Sequence, residues 1–88
     1  MDVELNGLKM LSRAAAHAYL KEKLEFPEYY GHNLDALYDL LAAREGELTI
    51  RVIHSHMLKE LLGGYGEALL STLREAEESN PNLHIIIS

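Results

Sequence analysis

Two aspartates, Asp35 and Asp39, lie four residues apart in the stretch Pro27–Leu41, which reads PEYYGHNLDALYDLL. At this spacing, side chains share one face of an α-helix, so the two carboxylates would lie side by side. Such a pair could act as a general acid and base, as in glycosidases, or could bind a cationic partner. Like charges at this spacing destabilise an isolated helix by roughly 0.2–0.5 kcal/mol, so the pair is held against its own repulsion.

The residues around the aspartates predict the helix that carries them. Asn33 is a suitable N-cap, and Leu34, Leu37 and Leu41 recur at the helical period and form a stripe that is expected to be buried. The helix is predicted to run to about Arg44, before the glycine that follows. The aspartates then lie on its exposed side.

Three tyrosines accompany the acidic pair. Tyr38 is predicted to lie beside the aspartates and away from the leucine stripe, while Tyr29 and Tyr30 precede the helix. Tyrosine is enriched among the residues that dominate protein interfaces. Successive loop residues rarely point the same way, so one of Tyr29 and Tyr30 is predicted to be an exposed anchor and the other a support. Catalysis is disfavoured, because nothing marks an apolar pocket that would raise one carboxyl pKa. On these residues alone, a solvated helix face is favoured over a docking site.

This stretch resembles the barstar family, the intracellular protein inhibitors of a secreted bacterial ribonuclease. The match is dense and ungapped, and it extends weakly over the whole chain through Asn6-Gly7, Arg74-Glu75-Ala76 and the closing sequence IIIS. The matching residues in the central stretch are Pro27, Glu28, Tyr29, Tyr30, Gly31, Asn33, Leu34, Asp35, Ala36, Leu37, Asp39 and Leu41.

The resemblance implies a one-to-one complex in which the acidic helix and its preceding loop plug the active site of a basic, extracellular-type ribonuclease. Asp39 would replace the substrate phosphate among the enzyme's cations, and Tyr29 would stack near its catalytic histidine. Asp35 and the Asn33–Leu34 segment would meet the basic rim. Gly31 would permit close backbone approach, and Glu75 would reach the rim of the base-recognition region. The predicted partner-binding residues are Tyr29, Tyr30, Gly31, Asn33, Leu34, Asp35, Tyr38, Asp39 and Glu75.

Three positions depart from the family pattern. Tyr38 replaces a tryptophan and keeps an aromatic contact beside the key acid. Arg44 stands where the family has a second tryptophan, and a cation that faces a basic enzyme is unfavourable. His32 replaces a glutamate and removes one negative charge. These changes predict a partner whose rim differs from that of the best-known ribonuclease.

Other residues that could carry chemistry give weaker signals. His54 and His56 could ligate a metal from a strand end, but no third ligand follows nearby, and a structural role is favoured. The run Gly63-Gly64-Tyr65-Gly66 lacks the Lys-Ser/Thr of a phosphate-binding loop and is interpreted as a flexible connector between helices. The sequence therefore predicts no catalytic residues, no metal site and no cofactor.

Composition narrows the possible partners. The chain has 88 residues, a formal net charge of −6 and no cysteine. An acidic balance argues against nucleic acid and is compatible with a basic protein partner. No apolar run approaches the roughly 18 residues of a membrane span, and no signal segment opens the chain. The absence of cysteine fits a reducing cytoplasm, which is the predicted location.

The periodicity predicts one α/β domain over residues 1–88. Its elements are a strand over Asp2–Asn6, a helix capped by Ser12 to about Leu24, the acidic helix, a strand over Leu48–Ile53, a helix from Ser55 to Leu62, a helix to about Ser79 and a strand over Leu83–Ile87. This order favours a three-stranded parallel sheet packed by about four helices. Asn80 is predicted to be a left-handed cap, and the last strand, continuously apolar, is predicted to be covered on both faces.

Two functional classes compete with ribonuclease inhibition. An acidic adaptor or antitoxin-like module that binds a basic partner other than a ribonuclease would need the same acidic surface. A small hydrolase built on the two carboxylates is the less favoured alternative. Only identification of the partner separates the first two.

Overall fold

The computed structural model describes all 88 residues, Met1–Ser88. The predicted α/β architecture is confirmed, with three strands, four α-helices and one short 3-10 helix. In chain order these are β1 (Asp2–Asn6), the 3-10 helix (Gly7–Lys9), α1 (Arg13–Leu24), α2 (Leu34–Ala42), β2 (Leu48–Ile53), α3 (His56–Leu62), α4 (Gly64–Ser79) and β3 (Leu83–Ile87).

The three strands form a parallel sheet in the order β1-β2-β3. Val3 is in register with Ile50, and Ile50 with Ile85, so one row of apolar side chains crosses the sheet on its covered face. Parallel neighbours require crossover connections, and the helices supply them. The buried apolar side chains form one cluster of 18 residues between this face and the helices.

Side-chain caps begin α1 and α2, and a residue in the left-handed conformation ends α1. The Ser12 hydroxyl accepts a hydrogen bond from the Ala15 amide at 3.1 Å, as predicted for an N-cap. Glu25 adopts the left-handed conformation, with φ of 55°, and ends α1. At the start of α2, the side-chain Oδ1 of Asn33 accepts a hydrogen bond from the Ala36 amide at 2.7 Å. Both predicted caps are therefore confirmed.

The end of α4 differs from the prediction. Asn80 is extended, with φ of −134°, so it is not a left-handed cap. Its side chain is buried and donates to the carbonyls of Leu41 and Arg44, each at 2.9 Å. These bonds satisfy carbonyls at the C-terminal end of α2, which ends at Ala42 rather than at Arg44. Asn80 therefore joins two helices that are distant in sequence.

The prediction that β3 is covered on both faces is wrong. Leu83 and Ile85 are buried, whereas His84 and Ile86 are exposed, and Ile86 is 44% exposed. The helices cover only one face of the sheet, so a continuous apolar sequence does not imply two buried faces here.

The glycine-rich run is a tight helix junction instead of a flexible connector. Only Gly63 interrupts the helices, and α4 begins at Gly64. A Cβ atom on Gly66 would lie 2.1 Å from the Leu58 carbonyl oxygen, so the glycine permits α3 and α4 to pack closely. Ser55 precedes α3 as predicted but forms no capping bond through its side chain.

Candidate protein-binding site

The outward face of α2 presents the two aspartates to solvent. Asp35 and Asp39 are exposed, and neither takes part in an ion pair within the chain. On the opposite side, Leu37 and Leu41 are fully buried, while Leu34 is half-buried. The leucine stripe therefore fixes the rotation of α2 and directs both carboxylates outward.

The side chain of Asn33 holds the preceding loop against α2. Its carbonyl oxygen caps the helix, and its amide group donates to the Gly31 carbonyl at 3.1 Å. His32, between these residues, has φ of 53°, in the left-handed region that is uncommon for residues other than glycine. Asn33 thus sets the geometry of the loop, while Gly31 is exposed beside it.

The two loop tyrosines face opposite ways, as predicted. Tyr29 is 80% exposed, whereas Tyr30 is only 4% exposed and packs against Phe26 with ring centroids 4.7 Å apart. The structure corrects the prediction that Tyr30 itself lies on the binding surface. Tyr30 supports the loop from beneath, and Tyr29 is the aromatic ring available to a partner.

A buried histidine that the sequence analysis missed connects the loop to two helices. His17 in α1 is 1% exposed; its Nδ1 lies 2.6 Å from the Tyr30 hydroxyl and its Nε2 lies 2.6 Å from the Tyr65 hydroxyl. In the neutral ring, one nitrogen donates and the other accepts. His17 shares the inward face of α1 with Leu20 and Leu24, and this placement was the available signal.

Burial sets the protonation states in this network. Removal from water lowers the pKa of His17 below its usual 6.5, and the nearby His32 charge lowers it further. Burial also raises the pKa of the Tyr30 hydroxyl well above its ordinary value, with a further contribution from Tyr65. Both groups are thus held neutral around pH 7, and the loop rests on an uncharged hydrogen-bonded network.

Tyr38 connects α2 to the end of α4. Its hydroxyl lies 2.6 Å from the Ser79 hydroxyl, and its ring is half-buried against the core. The prediction that Tyr38 points away from the buried side is therefore only partly right. Glu75 is exposed one helical turn before Ser79, so it lies on the same face of α4. This contact brings Glu75 to the Tyr38 side of the acidic surface.

Arg44 does not face the acidic surface. Its guanidinium donates to the Leu24 carbonyl at 3.3 Å and to the Met1 sulfur at 3.1 Å. The cation is thus directed toward the end of α1 and the start of β1.

The remaining predicted positions form no recognisable chemical site. The rings of His54 and His56 lie 6.0 Å apart, and no group of three potential ligands is close enough to hold a metal ion. The surface has no pocket, and none of the helices is both long enough and apolar enough to cross a membrane. The acidic surface is an exposed helix face with its preceding loop.

Comparison with known proteins identifies the family of the chain. A protein of Bacillus subtilis (strain 168) named "Putative ribonuclease inhibitor YrdF" is 41% identical over 63 residues, which cover 70% of this chain and 69% of that protein. The family model described as Barstar (barnase inhibitor) matches residues 1–87. With nearly its whole length matched and the three-stranded parallel fold in place, the chain belongs to the barstar family.

Proposed function

We propose that this protein inhibits a basic, secreted microbial ribonuclease by covering the enzyme's active site with α2 and its preceding loop. The observation that carries the proposal is the exposed pair Asp35 and Asp39, which is unpaired within the chain on a capped helix whose preceding loop exposes Tyr29. Family membership and the name of the Bacillus subtilis relative support the same role. The complex is one-to-one and forms in the cytoplasm of the producing cell.

Asp39 supplies the central contact of the proposed complex. Its free carboxylate would enter the phosphate-binding region of the ribonuclease, where several cationic side chains could bond it in the absence of water. Charge-assisted hydrogen bonds of this kind are among the strongest that proteins form. The free protein keeps Asp39 unpaired, so no internal bond has to break on binding.

The other surface residues surround this contact. Tyr29 offers a large aromatic area with few rotatable bonds, which suits it to stacking on the enzyme. Asp35 and Glu75 are also exposed and add negative charge to this surface. Asn33 acts within the chain as a positioning residue, since both ends of its amide are already bonded.

The departures from the family pattern bear on partner choice. Arg44 is turned away from the surface, so it does not oppose a basic enzyme directly. His32 lies on the loop where the family has a glutamate and therefore brings less negative charge to that part of the contact. The partner's rim opposite His32 is accordingly less basic than in the best-known ribonuclease.

An inhibition assay tests the proposal. Purified protein is titrated against its cognate candidate and several related guanine-preferring microbial ribonucleases, and the cleavage of RNA is followed. We expect stoichiometric loss of cleavage with at least one of them. If all of these enzymes cleaved RNA unchanged at a large molar excess of the protein, the inhibitor function would be ruled out. The remaining proposal would be an adaptor or antitoxin-like module that binds another basic protein.

A pair of charge variants assigns the inhibition to the proposed surface. Asp39→Ala is expected to abolish most inhibition. Glu60→Ala, which removes an exposed carboxylate from α3, is the matched control and should inhibit as the native chain does. Equal loss in both variants would attribute binding to overall charge instead of to α2.

A further inference from the structure

β3 forms one edge of the sheet, and its outward backbone groups can be assigned. The Asn82 carbonyl accepts from Leu48 and the Ser88 amide donates to Val52, so the even-numbered residues face β2. Backbone groups alternate sides along a strand, and residues 83, 85 and 87 therefore face away from the sheet. Ile85 is the middle residue of this outer edge.

Two side chains of α4 occupy the edge at Ile85. The Arg74 guanidinium donates to the Ile85 carbonyl at 2.9 Å, and the Ile85 amide donates to the Glu77 carboxylate at 2.7 Å. Arg74 and Glu77 also form an ion pair with each other at 3.3 Å, three residues apart on the helix. Both backbone groups of the central edge residue are thus satisfied by charged side chains.

The sequence of β3 makes such protection useful. It reads LHIII, with three β-branched residues and no carboxylate or lysine, and Ile86 is 44% exposed. An exposed apolar edge strand is a template for pairing with another chain, and proteins commonly block such edges with charge. The opposite edge, β1, carries Asp2 and Glu4 in its own sequence. Only the β3 edge depends on another element for its charges.

We propose that the Arg74–Glu77 pair blocks self-association through β3, and that without it the edge accepts the β3 strand of a second copy of this chain. Two copies related by a two-fold axis could pair antiparallel around Ile85. Each Ile85 would then donate its amide to, and accept from, the other copy, as in a hydrogen-bonded antiparallel pair. A second copy fits because the same short apolar strand is present on both sides of the pairing.

The test compares the molar mass of variants in solution by light scattering over a range of concentrations. Arg74→Ala/Glu77→Ala removes both blocking side chains without changing net charge. Lys59→Ala/Glu67→Ala, the matched control, removes an exposed ion pair that lies 3.8 Å apart between α3 and α4, away from the edge. We expect a concentration-dependent rise to about twice the chain mass for the first variant only.

A third change shows whether any association uses β3. Ile86→Lys, added to Arg74→Ala/Glu77→Ala, places a lysine on the exposed face of the edge strand and should restore the monomer. The proposal is overturned if the folded double variant stays monomeric, if the control associates equally, or if Ile86→Lys leaves the association unchanged.

If the double variant fails to fold, hydrogen exchange of the native chain tests whether Arg74 and Glu77 block the β3 edge. The Ile85 amide, bonded to Glu77, is expected to exchange more slowly than the Ile87 amide, which faces outward on the same strand with no side-chain partner. Equal exchange rates for the two amides would contradict a persistent block at the edge.

Discussion

At the residue scale, Asp39 separates the requirements of binding from those of stability. The carboxylate is exposed, bonds nothing within the chain and lies one turn from Asp35. Its presence costs the free helix a little through repulsion between like charges. A residue that is unfavourable to its own fold and exposed at the centre of an acidic surface has the properties expected of a binding residue.

Asp39→Ala is accordingly expected to weaken binding to the ribonuclease by more than ~2 kcal/mol, a size carried over from the hot-spot aspartate at the matching position of barstar. The free protein should be as stable as before or more stable by a few tenths of a kcal/mol, because repulsion is relieved and alanine favours helix. Urea denaturation and affinity are measured on the same variant. A loss of more than about 1 kcal/mol of stability would mean that Asp39 is structural.

His17 is expected to make the free energy of unfolding depend on pH. Its pKa in the folded protein lies below the value in the unfolded chain, so the unfolded chain binds more protons as the pH falls below about 6.5. The free energy of unfolding should therefore fall from pH 7 toward pH 5. The same protonation would place charge between the Tyr30 and Tyr65 hydroxyls, close to His32 and to Arg13, which stacks on Tyr65.

His17→Gln removes this titration while keeping a donor and an acceptor. We expect its urea midpoint at pH 7 to be lower than that of the native chain, because the two bonds of 2.6 Å are disturbed. Its midpoint should, however, change less between pH 7 and pH 5. If the urea midpoint of the variant changed with pH as much as that of the native chain, other groups would be the cause of the pH dependence.

At the scale of elements, the position of α3 against α4 depends on one glycine. A Cβ atom at Gly66 would overlap the Leu58 carbonyl, which belongs to the backbone and cannot rotate away. At Gly64, two residues earlier, the same atom would meet nothing within 4 Å. Alanine substitutions at the two positions therefore test whether this segment is closely packed or flexible.

Gly66→Ala is expected to destabilise the protein by about 1–3 kcal/mol, the usual cost of forcing added volume into a packed contact. Gly64→Ala should be neutral or stabilising by up to ~1 kcal/mol, because it restricts only the unfolded chain. Thermal and urea unfolding of both variants provides the comparison. Equal effects of the two substitutions would indicate that the segment is the flexible connector predicted from the sequence.

At the scale of the whole molecule, charge distribution determines how a partner arrives. The net charge is −6, and the aspartates of α2 together with Glu75 are exposed and unpaired. The cationic enzyme proposed as the partner would therefore be attracted before contact, over a distance of about a Debye length. In the proposed complex, the final affinity would depend instead on the desolvated contacts around Asp39.

Association with the ribonuclease should consequently be fast at low salt and slow at high salt. Raising ionic strength from about 0.01 M to 1 M shortens the Debye length from roughly 30 to 3 Å. Stopped-flow measurements across this range should give an association rate that falls much more steeply than the dissociation rate rises. An association rate independent of salt would show that long-range attraction is unimportant here.

The local features of the fold were predictable from sequence because they depend on residues a few positions apart. Ser12 and Asn33 cap helices through amides three residues ahead, and the leucines of α2 repeat with the helical period. The same local reasoning predicted the three strands, the acidic face of α2 and the opposite orientations of Tyr29 and Tyr30. It did not identify which of those two tyrosines is buried.

Tertiary structure decided the features that join distant parts of the chain. His17 reaches Tyr65 across 48 positions, Arg44 turns to Leu24 across 20, and Asn80 caps a helix that ends 38 residues earlier, at Ala42. The periodicity of the sequence could not reveal these partners. It predicts which face of a helix or strand a side chain lies on, but not which other element packs against that face. For the same reason, the exposed face of β3 and the charged side chains at its edge could be identified only in the assembled sheet. Helix caps and the leucine stripe of α2, in contrast, follow from short-range backbone geometry.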